Sequence, residues 1–83
     1  MNNTPVTKVE TARLYIQNKI VNAFGKGADY VDVVSGDIHR ELNFNNSMPT
    51  VCHAMYKLKT LKDEILHTTP SGYSSTIKIR YYR

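Results

Sequence analysis

The main spacing of apolar residues changes near residue 62, and this change restricts the folds open to the chain. Before that point apolar residues recur every three to four positions, which is the period of an amphipathic helix. After it they alternate, with Ile77, Ile79 and Tyr81 separated by Lys78 and Arg80. Strict alternation is typical of a strand with one buried face. The sequence therefore predicts an α+β fold in which helices precede a C-terminal β-hairpin.

Three helices are predicted, at about residues 7–24, 36–42 and 48–59. Thr7 and Glu10 have the spacing of a capping box at the start of the first helix. Ser35 and Ser47 precede the second and third helices, and we expect each to cap the helix that follows. Residues 43–47 contain three asparagines, which tolerate the left-handed conformations of a tight turn.

Three strands complete the predicted order. Residues 30–34 are rich in β-branched side chains and predict a short strand between the first two helices. Residues 64–68 and 76–83 predict the two strands of the hairpin, and residues 69–75 contain the proline, glycine and serines of its loop. A length of 83 residues suits one domain, spanning residues 1–83, with residues 1–5 as a flexible N-terminus.

The net charge of +4 is unevenly distributed. Residues 1–46 contain five basic and five acidic side chains, whereas residues 47–83 contain six basic and two acidic ones, so the second part carries the whole excess. A basic surface favours polyanionic partners. The one cysteine, Cys52, excludes an intrachain disulfide and suits a reducing compartment. No apolar run is long enough to cross a membrane, and we expect a cytoplasmic protein.

The order of elements resembles that of a winged helix-turn-helix domain from about Val6 to Arg83. Residues 34–42 and 47–55 look like the two helices of the helix-turn-helix in small prokaryotic, archaeal and phage DNA-binding proteins. The resemblance implies three helices followed by a hairpin wing, with a short strand between helices one and two. It also implies a function in binding double-stranded DNA as a transcription regulator.

DNA contacts are predicted on three elements. The helix at about 48–59 would read the major groove, the hairpin at about 64–83 would contact phosphates, and helix two would contact the backbone through Arg40 and His39. The candidate DNA-binding residues are Arg40, Thr50, His53, Tyr56, Lys57, Lys59, Ser71, Tyr73, Ser74, Lys78 and Arg80. Lys78 and Arg80 share a strand face directed away from the core. We expect them to form one basic surface with Lys57, Lys59 and Lys62.

Other interpretations of the same residues remain open. Each candidate side chain would also suit the solvated face of an amphipathic element, and a winged helix can act as an adaptor or inhibitor that binds protein and not DNA. Leu14 and Val21 fall opposite the core side of the first helix, which makes them either scattered surface residues or the seam of a homodimer. No metal-ligand or catalytic spacing is present, so we expect a protein that is not an enzyme and needs no cofactor or metal.

Overall fold

The computed structural model describes residues 7–83, so the predicted flexible N-terminal segment, residues 1–5, lies outside the described residues. Three helices and three strands follow one another as α1 (Lys8–Gly25), β1 (Tyr30–Val34), α2 (Ser35–Glu41), α3 (Met48–Leu58), β2 (Glu64–His67) and β3 (Lys78–Tyr82). The predicted α+β class and the predicted order of elements are confirmed.

Helix α1 begins as the capping pattern predicts. The Thr7 hydroxyl accepts a hydrogen bond from the backbone N–H of Glu10 at 3.1 Å. The Glu10 carboxylate pairs with Arg13 on the same helix, so it is not the reciprocal arm of a capping box. After the helix, Gly27 adopts a φ of 97°, which favours glycine and turns the chain towards β1.

Neither of the other two predicted caps makes a side-chain capping bond. Ser35 is the first residue of α2, and its hydroxyl donates to the carbonyl of Ser74 in the hairpin loop at 2.6 Å. Ser47 occupies the N-cap position of α3, but its hydroxyl donates to the carbonyl of Asn45 at 2.8 Å. A capping serine would accept from a backbone N–H of the first helical turn, but neither hydroxyl does so here, and each donates to a carbonyl outside its helix.

The turn between α2 and α3 is stabilised by two asparagines and a histidine. Asn43 and Asn46 have φ values of 58° and 47°, the left-handed conformations expected for this segment. His39 lies half-buried, accepts a hydrogen bond from the N–H of Ser47 at its Nε2 atom and packs edge-on against Phe44. Its predicted place on the outward side of helix two is therefore wrong, because the ring fills the turn.

The sheet is antiparallel with strand order β1-β3-β2. The hairpin of β2 and β3 is confirmed, and β1 pairs with the other edge of β3, with Asp32 opposite Arg80. A register shift between Ile65 and His67 interrupts β2. Strand β3 begins two residues later than predicted, because the partner of Ile77 is Ser35, which already belongs to α2.

The core lies between the helices and one face of the sheet. Helix α1 contributes two small or branched side chains, α3 contributes four, and Ile79 and Tyr81 cover it from β3. Its buried members are Ala12, Ile16, Val33, Ile38, Val51, Cys52, Ala54, Met55, Ile77, Ile79 and Tyr81. The Tyr81 hydroxyl donates to the carbonyl of Met55 at 2.6 Å, which ties the central strand to α3. None of the helices in residues 7–83 has both the length and the apolar character needed to span a membrane.

Candidate functional site: helix α3 and the hairpin loop

Helix α3 has a buried side and an exposed side. Val51, Ala54 and Met55 are fully buried, which turns the opposite side of the helix outward. His53 and Lys57 are exposed there and Thr50 is half-buried, so these three predicted residues lie together on one helical face. On this side of the molecule α3 presents a hydroxyl, an imidazole and an ammonium group to solvent.

Tyr56 does not share that outward position. Its hydroxyl donates to the carbonyl of Gly72 at 2.7 Å, and its ring packs edge-on against Tyr73 with centroids 6.2 Å apart. The prediction that Tyr56 faces outward is wrong because Tyr56 follows Cys52 by one helical turn, at the boundary of the core, and the hairpin loop closes over it. Tyr73 remains exposed beside it.

The hairpin loop is held against the start of α2 and the middle and later part of α3. The N–H of Gly36 donates to the carbonyl of Ser75 at 2.9 Å, and the thiol of Cys52 donates to the carbonyl of Ser74 at 3.4 Å. Together with the Ser35 and Tyr56 bonds, these contacts fix the loop from Gly72 to Ser75. The loop therefore lies along one edge of the exposed side of α3.

Hydroxyl groups within the loop bond chiefly to one another. Thr69 donates to Ser74 at 3.1 Å, and the Ser74 and Thr76 hydroxyls are 3.2 Å apart. The Ser71 hydroxyl accepts from the N–H of Tyr73 at 3.2 Å. These bonds shape the loop. Each hydroxyl still has a free lone pair that can accept a hydrogen bond, and its O–H can rotate to donate to a different partner. Ser71 is exposed and Ser74 is half-buried.

We call the exposed side of α3 and the hairpin loop, residues 69–76, the helix–loop surface. Its loop edge is set by Tyr56 and Tyr73. Its other edge lies towards α1, where Arg13 hydrogen-bonds Glu10 and, with a smaller contribution from nearby Lys57, lowers the pKa of that carboxyl. The structure thus brings together the predicted residues of α3 and those of the loop.

Lys78 and Arg80 lie elsewhere. They project from the sheet face opposite the core, where the Arg80 guanidinium makes two hydrogen bonds to Asp32, at 2.8 and 3.0 Å. The Lys78 ammonium lies 3.9 Å from the same carboxylate. The Arg80 hydrogen bonds lower the pKa of Asp32. The prediction of one basic surface that joins these side chains to α3 is wrong, because the sheet separates them and Asp32 balances part of their charge.

The lysines at and after the C-terminal end of α3 form none of these ion pairs. Among the described residues the ion pairs involve Arg13, Lys19, Arg40, Lys78 and Arg80. Lys57, Lys59 and Lys62 take part in none of them, and they cluster within six residues of chain at the end of α3. Arg40 is exposed on α2 and pairs with Asp37 at 3.0 Å. Lys57, Lys59 and Lys62 thus form a group of cations without ion pairs at the C-terminal end of α3, while Lys8, Lys26 and Arg83, which also form none within residues 7–83, lie elsewhere in the chain.

The acidic residue in this basic segment is buried. Asp63 is 6% exposed and accepts hydrogen bonds from the N–H of Thr60, the Thr60 hydroxyl and the N–H of Tyr82. Burial would raise the pKa of Asp63, but these hydrogen bonds outweigh it and lower the pKa. Asp63 thus fixes the turn after α3 to the central strand while Lys62 stays exposed.

Cys52 and the histidines form no reactive cluster in the described part of the chain. Burial raises the pKa of the Cys52 thiol, which keeps it protonated beside the loop. Within residues 7–83, no three His, Cys, Asp or Glu side chains lie close enough together to hold a metal ion. The contact of Gly36 with the loop was not predicted, although a glycine in the first turn of a helix is a signal for such a close approach.

Comparisons with known proteins add no relative. No protein-family model matches the chain, and no curated protein or solved structure matches it either.

Proposed function

We propose that this protein is a winged helix-turn-helix domain that binds double-stranded DNA and regulates transcription, with α3 in the major groove. The observation that carries the proposal is the helix–loop surface, in which an exposed helical face with Thr50, His53 and Lys57 is flanked by a fixed loop. An α-helix fits the major groove of B-DNA, and hydroxyl and imidazole groups can hydrogen-bond base edges there. Three helices with strand order β1-β3-β2 are compatible with a winged helix.

The charges support a specific orientation on DNA. Lys57, Lys59 and Lys62 lie at the C-terminal end of α3, so they would contact phosphates on one wall of the groove while Thr50 and His53 lie deeper. On the loop side, the exposed hydroxyl of Ser71 and the Tyr73 side chain would contact the opposite backbone. Lys78 and Arg80 face away from this arrangement and would contribute little.

The experiment that tests the proposal is an NMR titration with a random-sequence DNA duplex at low and at moderate salt. We expect the largest amide shifts in α3 and the hairpin loop, with weaker binding at higher salt because phosphate contacts release counterions. If α3 and the loop show no shifts even at low salt, the proposal fails. A selection from a random duplex pool then tests base reading, since Thr50→Ala and His53→Ala should change the preferred sequence.

A second candidate function is the binding of another protein. The observation that favours it is a group of exposed apolar side chains in and before β2: Leu61 is fully exposed, and Ile65 and Leu66 are 43% and 41% exposed. Exposed apolar groups at a sheet edge are typical of protein contacts. Amide shifts confined to β2 on addition of a cell extract fraction, with none in α3 on addition of DNA, would favour this function.

A further inference from the structure

Helix α1 has an exposed row of side chains that faces away from the rest of the molecule. Thr11, Leu14, Asn18, Val21 and Gly25 are separated by three, four, three and four positions, and each of them is exposed. Leu14 and Val21 are 45% and 58% exposed. The buried residues of α1, Ala12 and Ile16, lie on the opposite side of the helix, where it packs against α3.

This spacing is that of the inner positions of a coiled coil. Apolar residues alternate at three and four positions in such a seam, and one asparagine within it fixes how two helices align. In α1 the two apolar residues lie on either side of Asn18. The glycine at the end of the row leaves its surface open, with no atom within 4 Å of the position of a Cβ atom.

The row contains no charge, and one cation on each of its long sides is paired with a carboxylate. Arg13 pairs with Glu10 on one side of the row, and Lys19 pairs with Glu41 of α2 at 3.2 Å on the other. Two copies of a protein with a net charge of +4 repel each other. Repulsion at this face is reduced, because Arg13 and Lys19 are each held by a carboxylate and Lys26, which forms no ion pair within residues 7–83, lies beyond the end of the row.

We propose that this row binds a second copy of the same chain about a two-fold axis beside Asn18. Asn18 lies midway along the row, so it meets Asn18 of the second copy whether the helices run parallel or antiparallel. The two amides hydrogen-bond each other, and Leu14 and Val21 pack on the same pair of residues in the second copy. An isologous contact of this kind closes at a dimer.

The dimer is weak in free solution. One helical face with two apolar residues is smaller than the roughly 800 Å² that each partner contributes to an ordinary stable interface. Association is therefore concentration-dependent, and it increases when two copies bind neighbouring sites on one duplex. Because α3 lies on the other side of α1 from the row, the dimer leaves the helix–loop surface free.

Sedimentation equilibrium without DNA at several protein concentrations tests the dimer separately from DNA binding. We expect the wild type to approach a dimer at high concentration. Leu14→Glu with Val21→Glu should lower the association constant at least about tenfold, because like charges then face each other. Asn18→Leu should raise it, since a polar residue in the seam costs association energy. A wild type that stays monomeric, or a double variant that associates like the wild type, overturns the proposal.

Cross-linking tests the position of the axis. Asn18→Cys should form an intermolecular disulfide under mild oxidation faster than Lys62→Cys, which places an exposed thiol outside the row. Cys52 is buried. The wild type, which contains this cysteine alone, is the control for any disulfide that Cys52 itself forms. Because Asn18 and Lys62 are exposed, both variants should fold, which a thermal unfolding curve checks. Equal rates of disulfide formation in the two variants overturn the placement of the axis at Asn18.

Discussion

The backbone N–H of Gly36 and the carbonyl oxygen of Ser75 are 2.9 Å apart, and they join the start of α2 to the hairpin loop. A Cβ atom on residue 36 would lie 2.7 Å from the same oxygen. The two segments thus approach more closely than any side chain at residue 36 would permit. The loop beside α3 is fixed by this contact and by its bonds from Ser35, Cys52 and Tyr56.

Gly36→Ala should displace the loop and destabilise the domain. A methyl group at 2.7 Å from backbone requires a shift of α2 or of the loop, and overpacking of this size costs about 1–3 kcal/mol. Urea unfolding measures the loss. Gly25→Ala is the matched control, because no atom lies within 4 Å of its Cβ position, and its stability should be unchanged or slightly raised. Equal losses in the two variants would show that the close approach is unimportant.

Lysines at the end of α3 should contribute more to DNA binding than the cations of the sheet. Lys57→Gln should weaken binding and reduce the slope of log affinity against log salt by about 0.9 if Lys57 neutralises one phosphate. Arg80→Gln should change this slope little, because its guanidinium is held by Asp32 on the other face of the sheet. Fluorescence anisotropy with a labelled duplex at several salt concentrations measures both effects.

Lys26→Gln is the charge-matched control for that comparison. Lys26 is exposed at the end of α1 and takes part in none of the ion pairs of the described residues, so its loss removes the same charge at a different place. A slope that falls as much in Lys26→Gln or Arg80→Gln as in Lys57→Gln would contradict binding through α3.

Asp63 should make stability depend on pH in the acid range. The pKa of Asp63 is lowered in the folded state, whereas an unfolded aspartate titrates near about 3.9. The carboxylate therefore stabilises the fold above about pH 4, and that contribution is lost as the pH falls through the folded pKa. Asp63→Asn should be less stable at neutral pH by about 1–3 kcal/mol, because it weakens buried hydrogen bonds.

The difference in the free energy of unfolding between wild type and Asp63→Asn should decrease on acidification. Thermal unfolding of both proteins from neutral pH to about pH 2 measures this difference. Other carboxyls with lowered pKa values, such as Asp32 and Glu41, are present in both proteins and cancel in the comparison. A gap that stays constant with pH would show that ionised Asp63 does not stabilise the fold.

The Cys52 thiol should react slowly while the domain is folded. Its side chain is fully buried and burial raises its pKa, so both access and the thiolate fraction are low. A disulfide reagent should modify the native protein about a hundredfold or more slowly than the urea-unfolded protein, because reaction needs local opening. Gly36→Ala should speed the native reaction, since the loop covers Cys52. An equally fast reaction in native and unfolded protein would exclude the buried position.

The sequence predicted the elements well where burial dictates the pattern. Ile77, Ile79 and Tyr81 alternate because one sheet face is buried, and this local period is visible in the chain. Contacts between distant residues leave no such local period. Asp32 lies 48 positions before Arg80, and Ser35 lies 39 before Ser74. The three-dimensional structure was therefore needed to show that the basic residues lie on two separate faces. It was also needed to show that Ser35 bonds to the distant hairpin loop.

The position of β3 in the sheet has a consequence for how the domain forms during translation. β3 is the last element in chain order, but it is the central strand and the shared partner of β1 and β2. The ribosome adds about 5–20 residues per second, so β1 is made seconds or more before any strand exists to pair with it. The three helices can collapse early, but the sheet assembles in one late step when residues 78–82 arrive. Until then Val33 lacks its partner Ile79 in β3, and this interval is when a nascent chain of this kind most needs protection from aggregation.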